Sequence, residues 1–314
     1  MLNSELCSIL GIEYPIFQGG MAWIADGKLA AAVSEAGGLG IISAMNAGAD
    51  YLKNEIETAR SLTKKPFGVN IMLMSPHVAE VAQVVADFKV PVVTTGAGNP
   101  AKYMPMWKEA GIKVIPVIPS VMLAKRMEKL GAVAVVAEGG ESGGHIGELN
   151  TMALVPQVVD ALSIPVIAAG GIGDGRGIAA AFMLGAKGVQ MGTRFLVASE
   201  CGVHPNYKAK VLKASDIDTI VTGRKLGRPV RSLKTSFSRN FFMKENDPSI
   251  SNEELESAGI GALRAAAVDG DDAKGCFIAG QIAGMVTREQ SAKEIVDELV
   301  SQAEELLKGT KWVK

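Results

Sequence analysis

Apolar and polar positions follow two alternating rhythms along the first 196 residues. Almost continuously apolar runs recur as YPIFQG (14–19), LGIIS (39–43), FGVNIML (67–73), PVVTTG (91–96), KVIPVIP (113–119), AVAVVAEG (132–139), PVIAAGG (165–171) and GVQMGTRF (188–195). Strands buried on both faces read this way, because neither face has to meet water. Between them lie stretches of helical spacing, such as DGKLAAAVSEAG, SPHVAEVAQVVADF, SVMLAKRMEKLG and DGRGIAAAFMLG. These open on Ser or Asp, whose side chains cap helix N–H groups, and three of them close on Gly, which turns the chain out of the helix. Eight such units in series predict a (β/α)8 TIM barrel rather than an open doubly wound sheet. No GxGxxG follows the first strand, and the one Gly-Lys pair, Gly27-Lys28, is followed by Leu29. Neither a dinucleotide fingerprint nor a Walker A loop is present.

After residue 196 the rhythm breaks. Residues 205–244 carry ten Lys and Arg against only Asp216 and Asp218. SNEELESAGIGALRAAAV then reads as one polar helix, GCFIAGQIAGMV follows, and SAKEIVDELVSQAEELLKG closes the chain as an amphipathic helix. The expected organisation is a barrel over 1–196 and 289–314, with a long insertion, 197–288, after the eighth strand and facing substrate or cofactor. Its basic stretch suits the phosphate of a dinucleotide, an acidic protein partner, or simply a solvated insertion.

Composition narrows the function classes. A net charge of -1 supplies no basic field for nucleic acid. Thirty-six glycines and 5% aromatics fit tight loops joining aliphatic elements. Cys7, Cys201 and Cys276 lie far apart without a CxxC, as expected for thiols packed as small apolar groups in a reducing cytoplasm. Three histidines and three cysteines make no structural zinc site expected. The opening MLNSELCSILGIEYP has no basic segment leading into an apolar one, so no secretory leader is expected. No apolar run reaches the roughly 18 residues of a membrane span. A cytoplasmic protein without membrane association follows.

Chemistry in such barrels sits at the C-terminal strand ends. Those ends offer Gln18 to Ala22, Ser43, Asn70, Thr95-Gly96, Glu138 to His145, Ala169 to Gly171, and Met191 to Thr193. The last two are the most informative, since loops after strands seven and eight often make a phosphate site from backbone N–H groups and a helix N-terminus. Gly170 and Gly171 expose such donors and Thr193 adds a hydroxyl; glycines there also serve tight turns alone. QGGMA (18–22) would let a flat ring lie against bare backbone, or would merely turn the chain with Met21 and Trp23 as core. Asn70 suits a pyrimidine-like edge or a neighbouring carbonyl. His145, in EGGESGGHIG (138–147), has a side chain able to exchange a proton near neutrality, with Glu138 and Glu141 near in sequence to orient or tune it. The alternative is a solvated loop histidine. His77 and His204, beside prolines, read as structural.

Taken together, QGGMAWIADGKLAAAVSEAGGLGII, PFGVNIML, VTTGAGNP, AEGGESGGHIG, PVIAAGGIGDG, VQMGTRF, HPNYKAKVLKASDIDT and AGQIAG resemble one family along nearly the whole chain. They are similar to the FMN-dependent enoyl-acyl-carrier-protein reductases of the second type, within the nitronate monooxygenase (2-nitropropane dioxygenase-like) superfamily. The resemblance implies a dimeric barrel with FMN at its strand ends. It implies reduction by NADH or NADPH, an enoyl-loaded acyl carrier protein as partner substrate, and in some members a monovalent cation as activator. Carried over by position, Gly20, Met21 and Ala22 would line the flavin, with Asn70 at its edge. Glu138 and Met191 would border it, and Gly170, Gly171, Gly192 and Thr193 would hold its phosphate. His145 would match the family's active-site histidine, and Ser142 is given no catalytic role. Nitronate oxidation and a non-redox phosphate-binding barrel are the rival readings.

Overall fold

A computed structural model of the chain describes residues 2–44 and 47–308. Eight parallel strands order themselves as β1 (Ile16–Gln18), β9 (Gly188–Met191), β8 (Val166–Ala169), β6 (Val135–Glu138), β5 (Lys113–Ile118), β4 (Val92–Gly96), β3 (Gly68–Met72) and β2 (Ile41–Ser43). A parallel bridge between Phe17 and Leu39 brings the two ends together. Gln18 completes that seam. Its amide oxygen accepts from Ile41 N at 3.1 Å and its amide nitrogen donates to Ile41 O at 3.2 Å. The expected TIM barrel is therefore the fold.

The interior is packed rather than open. Phe17, Ile41, Val92, Ile115, Val136, Ile167 and Ala169 alternate inward along their strands, and each is at most 2% exposed. The N-terminal helix Glu5–Leu10 joins this cluster through Leu6, Cys7 and Leu10. It plugs the N-terminal end of the barrel: a Cβ on Gly188, which starts β9, would meet Leu6 Cδ1 at 2.9 Å.

Four helices appear where the capped stretches put them: Gly27–Glu35, Val78–Asp87, Val121–Lys129 and Gly175–Met183. Asp26, Ser120 and Asp174 cap three of them through side-chain oxygens. The closing helix Ala292–Lys308 lies against Gly175–Met183, with Gly175 N donating to Gln302 Oε1 at 3.0 Å. The part of the expected barrel segment beyond Lys308 lies outside the described residues.

The segment 197–288 differs from the expectation in two places. Its basic stretch holds a hairpin, β10 (Thr219–Thr222) and β11 (Val230–Leu233). The latter pairs antiparallel with a two-residue strand, β7 (Gly144–His145). The polar helix is also not continuous. It runs Asn252–Gly259, breaks at Gly261 in the left-handed region, and resumes as short turns over 262–269. Glycines at 259 and 261 make that break cheap. Tyr207, Val211, Leu233, Phe277 and Ile282 share a cluster with outward-facing barrel residues such as Val135 and Val166. The segment is thus welded to the barrel by apolar packing as well as by β7.

Candidate active site

Strand alternation sets a polar layer on top of the apolar interior. Ser43, Asn70 and Thr94 sit in register on β2, β3 and β4, while Glu138, Ala169 and Gln190 do so on β6, β8 and β9. Thr94, not the expected Thr95, is the β4 threonine on this face, because Val92 two residues earlier is interior and Val93 belongs to the outer layer. Thr94 donates its hydroxyl to Asn70 Oδ1 at 2.9 Å, and Asn70 Nδ2 reaches Gly20 O at 3.4 Å. Asn70 thus satisfies a neighbouring carbonyl while keeping a second amide N–H. Gly20 is obligatory here, since a Cβ would lie 2.2 Å from Asn70 Cβ. Ser43 is 1% exposed, yet its hydroxyl has no partner among the described residues.

Most of the expected site residues lie in one contiguous circuit around the mouth. Asn70 abuts Gly20, and Met21 faces Gly192, whose Cβ would lie 3.6 Å from Met21 Sδ. Met191 is buried beside Gln18 across the β1–β9 seam. Thr193 Oγ1 accepts from Gly280 N at 2.9 Å, which leaves the hydroxyl proton to point elsewhere. A Cβ on Gly280 would lie 2.8 Å from the Glu141 carbonyl oxygen, and one on Gly171 would lie 3.4 Å from the Glu141 side chain. Gly170 lies over the Gly139 carbonyl, next to Glu138. Ala22 is half-buried in the turn after Met21.

Two features differ from the sequence reading. Gly170 and Gly171 do take the left-handed conformation, with φ of 88° and 72°, and consecutive turns of this kind favour an anion-binding concavity. The helix that follows them, however, is already capped, because the Asp174 side chain accepts from Arg176 N and Gly177 N. A carboxylate at that terminus would repel a phosphate. The short 3-10 turn Thr193–Val197, by contrast, has no side-chain cap.

Glu141 does not orient His145 either. Its carboxylate accepts from Thr151 N at 3.0 and 3.1 Å and from Thr151 Oγ1 at 3.0 Å. The same hydroxyl lies 3.1 Å from Ala169 O and 2.8 Å from Gly170 O. Thr151 is the fastener that holds the β6 loop onto the β8 loop, a role the sequence did not single out. Its only sequence signal was its position as first residue of a helix after a glycine-rich loop.

His145 sits on β7, where Ile146 N donates to Pro229 O at 3.0 Å and Arg231 Nη2 to Gly140 O at 2.9 Å. Solvent reaches the residue, but the crowded mouth desolvates its ring. That desolvation, together with the positive charge of Arg228, holds the imidazole below its ordinary value. Glu138 has no hydrogen-bond partner among the described residues, and burial alone pushes its carboxyl up to about 7. His204 proves structural, accepting from Asn206 N at the start of a helix. Among the described residues no group of His, Cys, Asp and Glu is placed to hold a metal ion, and no helix is long and apolar enough to cross a membrane.

The description nitronate monooxygenase belongs to the family model that matches residues 3–87 and 77–302. The chain belongs to that family. Among curated relatives, "(3aS,4S,5R,7aS)-5-hydroxy-7a-methyl-1-oxo-octahydro-1H-indene-4-carboxyl-CoA dehydrogenase" of Mycobacterium tuberculosis is 34% identical, with 96% of each chain covered. A probable nitronate monooxygenase of Staphylococcus saprophyticus is 32% identical over 98% of this chain and 99% of its own. The solved structure of FabK from Thermotoga maritima is 50% identical, covers 98% of both chains and superposes with a TM-score of 0.95. The nitroalkane oxidase of Streptomyces ansochromogenes is 30% identical over 97% and 99% of the chains, with a TM-score of 0.85. The family is one of oxidoreductases.

Proposed function

We propose that this nitronate monooxygenase family member is an FMN-dependent enoyl-acyl-carrier-protein reductase that uses NADH or NADPH. The observation that carries the reading is the 50% identity to FabK, an enoyl-acyl-carrier-protein reductase of the second type, against 30% to a nitroalkane oxidase, both over almost the entire chain. The carboxyl-CoA named for the mycobacterial relative is likewise a thioester.

The residues present fit a phosphorylated flat heteroaromatic. Asn70 keeps a free amide N–H, Ser43 has an orphaned hydroxyl, Glu138 is an unpartnered carboxyl, and left-handed Gly170 and Gly171 lie on the same rim as a Thr193 hydroxyl with its proton to give. Gly20, Met21 and Ala22 would line the ring, with Asn70 at its edge and Glu138 and Met191 bordering it. Gly170, Gly171, Gly192 and Thr193 would hold the phosphate. Bound FMN would supply hydride transfer from the nicotinamide to the β-carbon of the enoyl thioester.

His145 has the protein's part in the reduction. As negative charge develops on the thioester, its ring N–H donates to the oxygen or delivers the proton to the α-carbon. General-acid help of this kind is worth about 10²–10⁴-fold. β7 fixes the backbone that carries the ring, so the acid is pre-placed rather than recruited from a floppy loop. The protein acts in a homodimer on an acyl carrier protein in the cytoplasm, and a monovalent cation is a further activator to test. Crotonyl thioester reduction by NADH, followed with and without added potassium, tests the activity; loss of activity with full flavin content would refute the reading.

A further inference from the structure

The β10–β11 hairpin turns at the lip of the mouth. Within the turn, Gly227 N donates to Arg224 O and Arg228 N to Gly223 O, each at 3.0 Å, so the two arginines leave one short, pinned loop. Arg224 Nη1 lies 3.7 Å from Glu148 Oε1, and Glu148 follows His145 by three residues. Arg228 lies close enough for its charge to act on the His145 ring. Lys225, by contrast, is committed to the carbonyls of Asp247 and Ile250. Both arginine side chains are more than half exposed, and the partner of Arg228, Glu256, stands 4.0 Å away. Exposed pairs this loose contribute about 0–1 kcal/mol, so an arriving phosphate displaces them readily.

We propose that Arg224 and Arg228 clamp the pyrophosphate of the nicotinamide dinucleotide, placing its ring over the mouth beside His145. The assignment rests on the reductase reading above. Two sources of phosphate could meet this rim, a dinucleotide or the pantetheine carrier of the thioester. Spacing favours the first. Only one ribose separates a nicotinamide ring from its pyrophosphate, whereas a whole pantetheine arm separates a thioester from its phosphate. Guanidinium groups on the same loop edge as His145 match the short span.

The test is the doubly substituted Arg224→Gln, Arg228→Gln protein reconstituted with FMN. NADH affinity is read by anaerobic titration calorimetry on the dithionite-reduced FMN protein, whose flavin accepts no further hydride, and crotonyl-CoA KM by steady-state kinetics. Reduction of the flavin by 1-benzyl-1,4-dihydronicotinamide, which has no phosphate, serves as reference. The double variant should bind NADH about tenfold or more weakly, and wild-type affinity should fall with added salt while that of the variant does not. The ratio of flavin-reduction rates for NADH and the benzyl analogue should fall by a similar factor, with crotonyl-CoA KM held. NADH affinity within twofold of wild type would overturn the proposal, as would a loss confined to crotonyl-CoA KM. Because NADH binding is measured directly, failure of enoyl reduction would count against the reductase reading alone.

Discussion

His145 and Glu138 are titratable side chains at the mouth without hydrogen-bonded partners among the described residues, and burial disfavours the charged form of each, which moves their pKa values in opposite directions. Replacing His145 by Ala should lower enoyl-thioester reduction about 10²–10⁴-fold while FMN content stays at the wild-type level; turnover and flavin absorbance measured on one preparation check this. Removing the positive charge of Arg228 as Gln should raise the His145 pKa, because the neighbour now disfavours the protonated ring; histidine-resolved NMR titration reads the shift. Glu138 behaves the other way. Its folded value, about 7, lies above the ordinary 4.5, so the native protein holds a proton that the unfolded chain releases. The cost of ionising the buried carboxyl is absent below pH 4.5 and fully present above about 7. In the flavin-free protein, Glu138→Gln should therefore raise Tm at pH 8 and leave it unchanged near pH 4.5. An equal change in Tm at both pH values would mean that the carboxyl does not carry this cost.

At the scale of elements, the mouth is held by fasteners between loops that are distant in sequence. Glu141 and Thr151 tie the β6 loop to the β8 loop through a charge-assisted pair. Glu141→Ala should cost about 1–3 kcal/mol of stability and loosen FMN together, measured by denaturant unfolding and flavin-release titration. The strand ends themselves were legible in the sequence, because a short, almost continuously apolar run and a glycine or polar residue at its end leave a direct trace. Gly20, Asn70, Gly170, Gly171, Gly192 and Thr193 were placed at the barrel mouth that way. β7 was not legible. A two-residue strand among glycines acquires its conformation from pairing with Val230 and Arg231, more than eighty residues on, and nothing local to His145 encodes that. The same holds for Arg228 as the charge beside His145, where proximity in sequence pointed instead to Glu138 and Glu141. Asp174 was legible as a cap; that its carboxylate takes up the helix N–H groups beside Gly170 and Gly171 becomes evident only in three dimensions.

At the scale of the whole molecule, the packed plug and the polar mouth occupy opposite ends of the barrel. Leu6, fully buried in the plug at the N-terminal end, should cost about 2–5 kcal/mol when cut to Ala while kcat/KM is unchanged. Chemical denaturation alongside steady-state kinetics separates the two effects. At the other end, the glycine rim, the polar layer and the hairpin-borne arginines converge on one face, which suits a phosphorylated cofactor and a charged co-substrate approaching from solvent. The central claim is that electrons delivered to this face leave to an enoyl thioester. Its most direct measurement reduces the FMN-loaded protein with NADH under anaerobic conditions and then mixes it with crotonyl thioester. Rapid return of the oxidised flavin spectrum, with butyryl thioester formed in equal amount, is the outcome predicted here. A flavin that stays reduced with the thioester, yet is itself reduced by a nitronate, would contradict it.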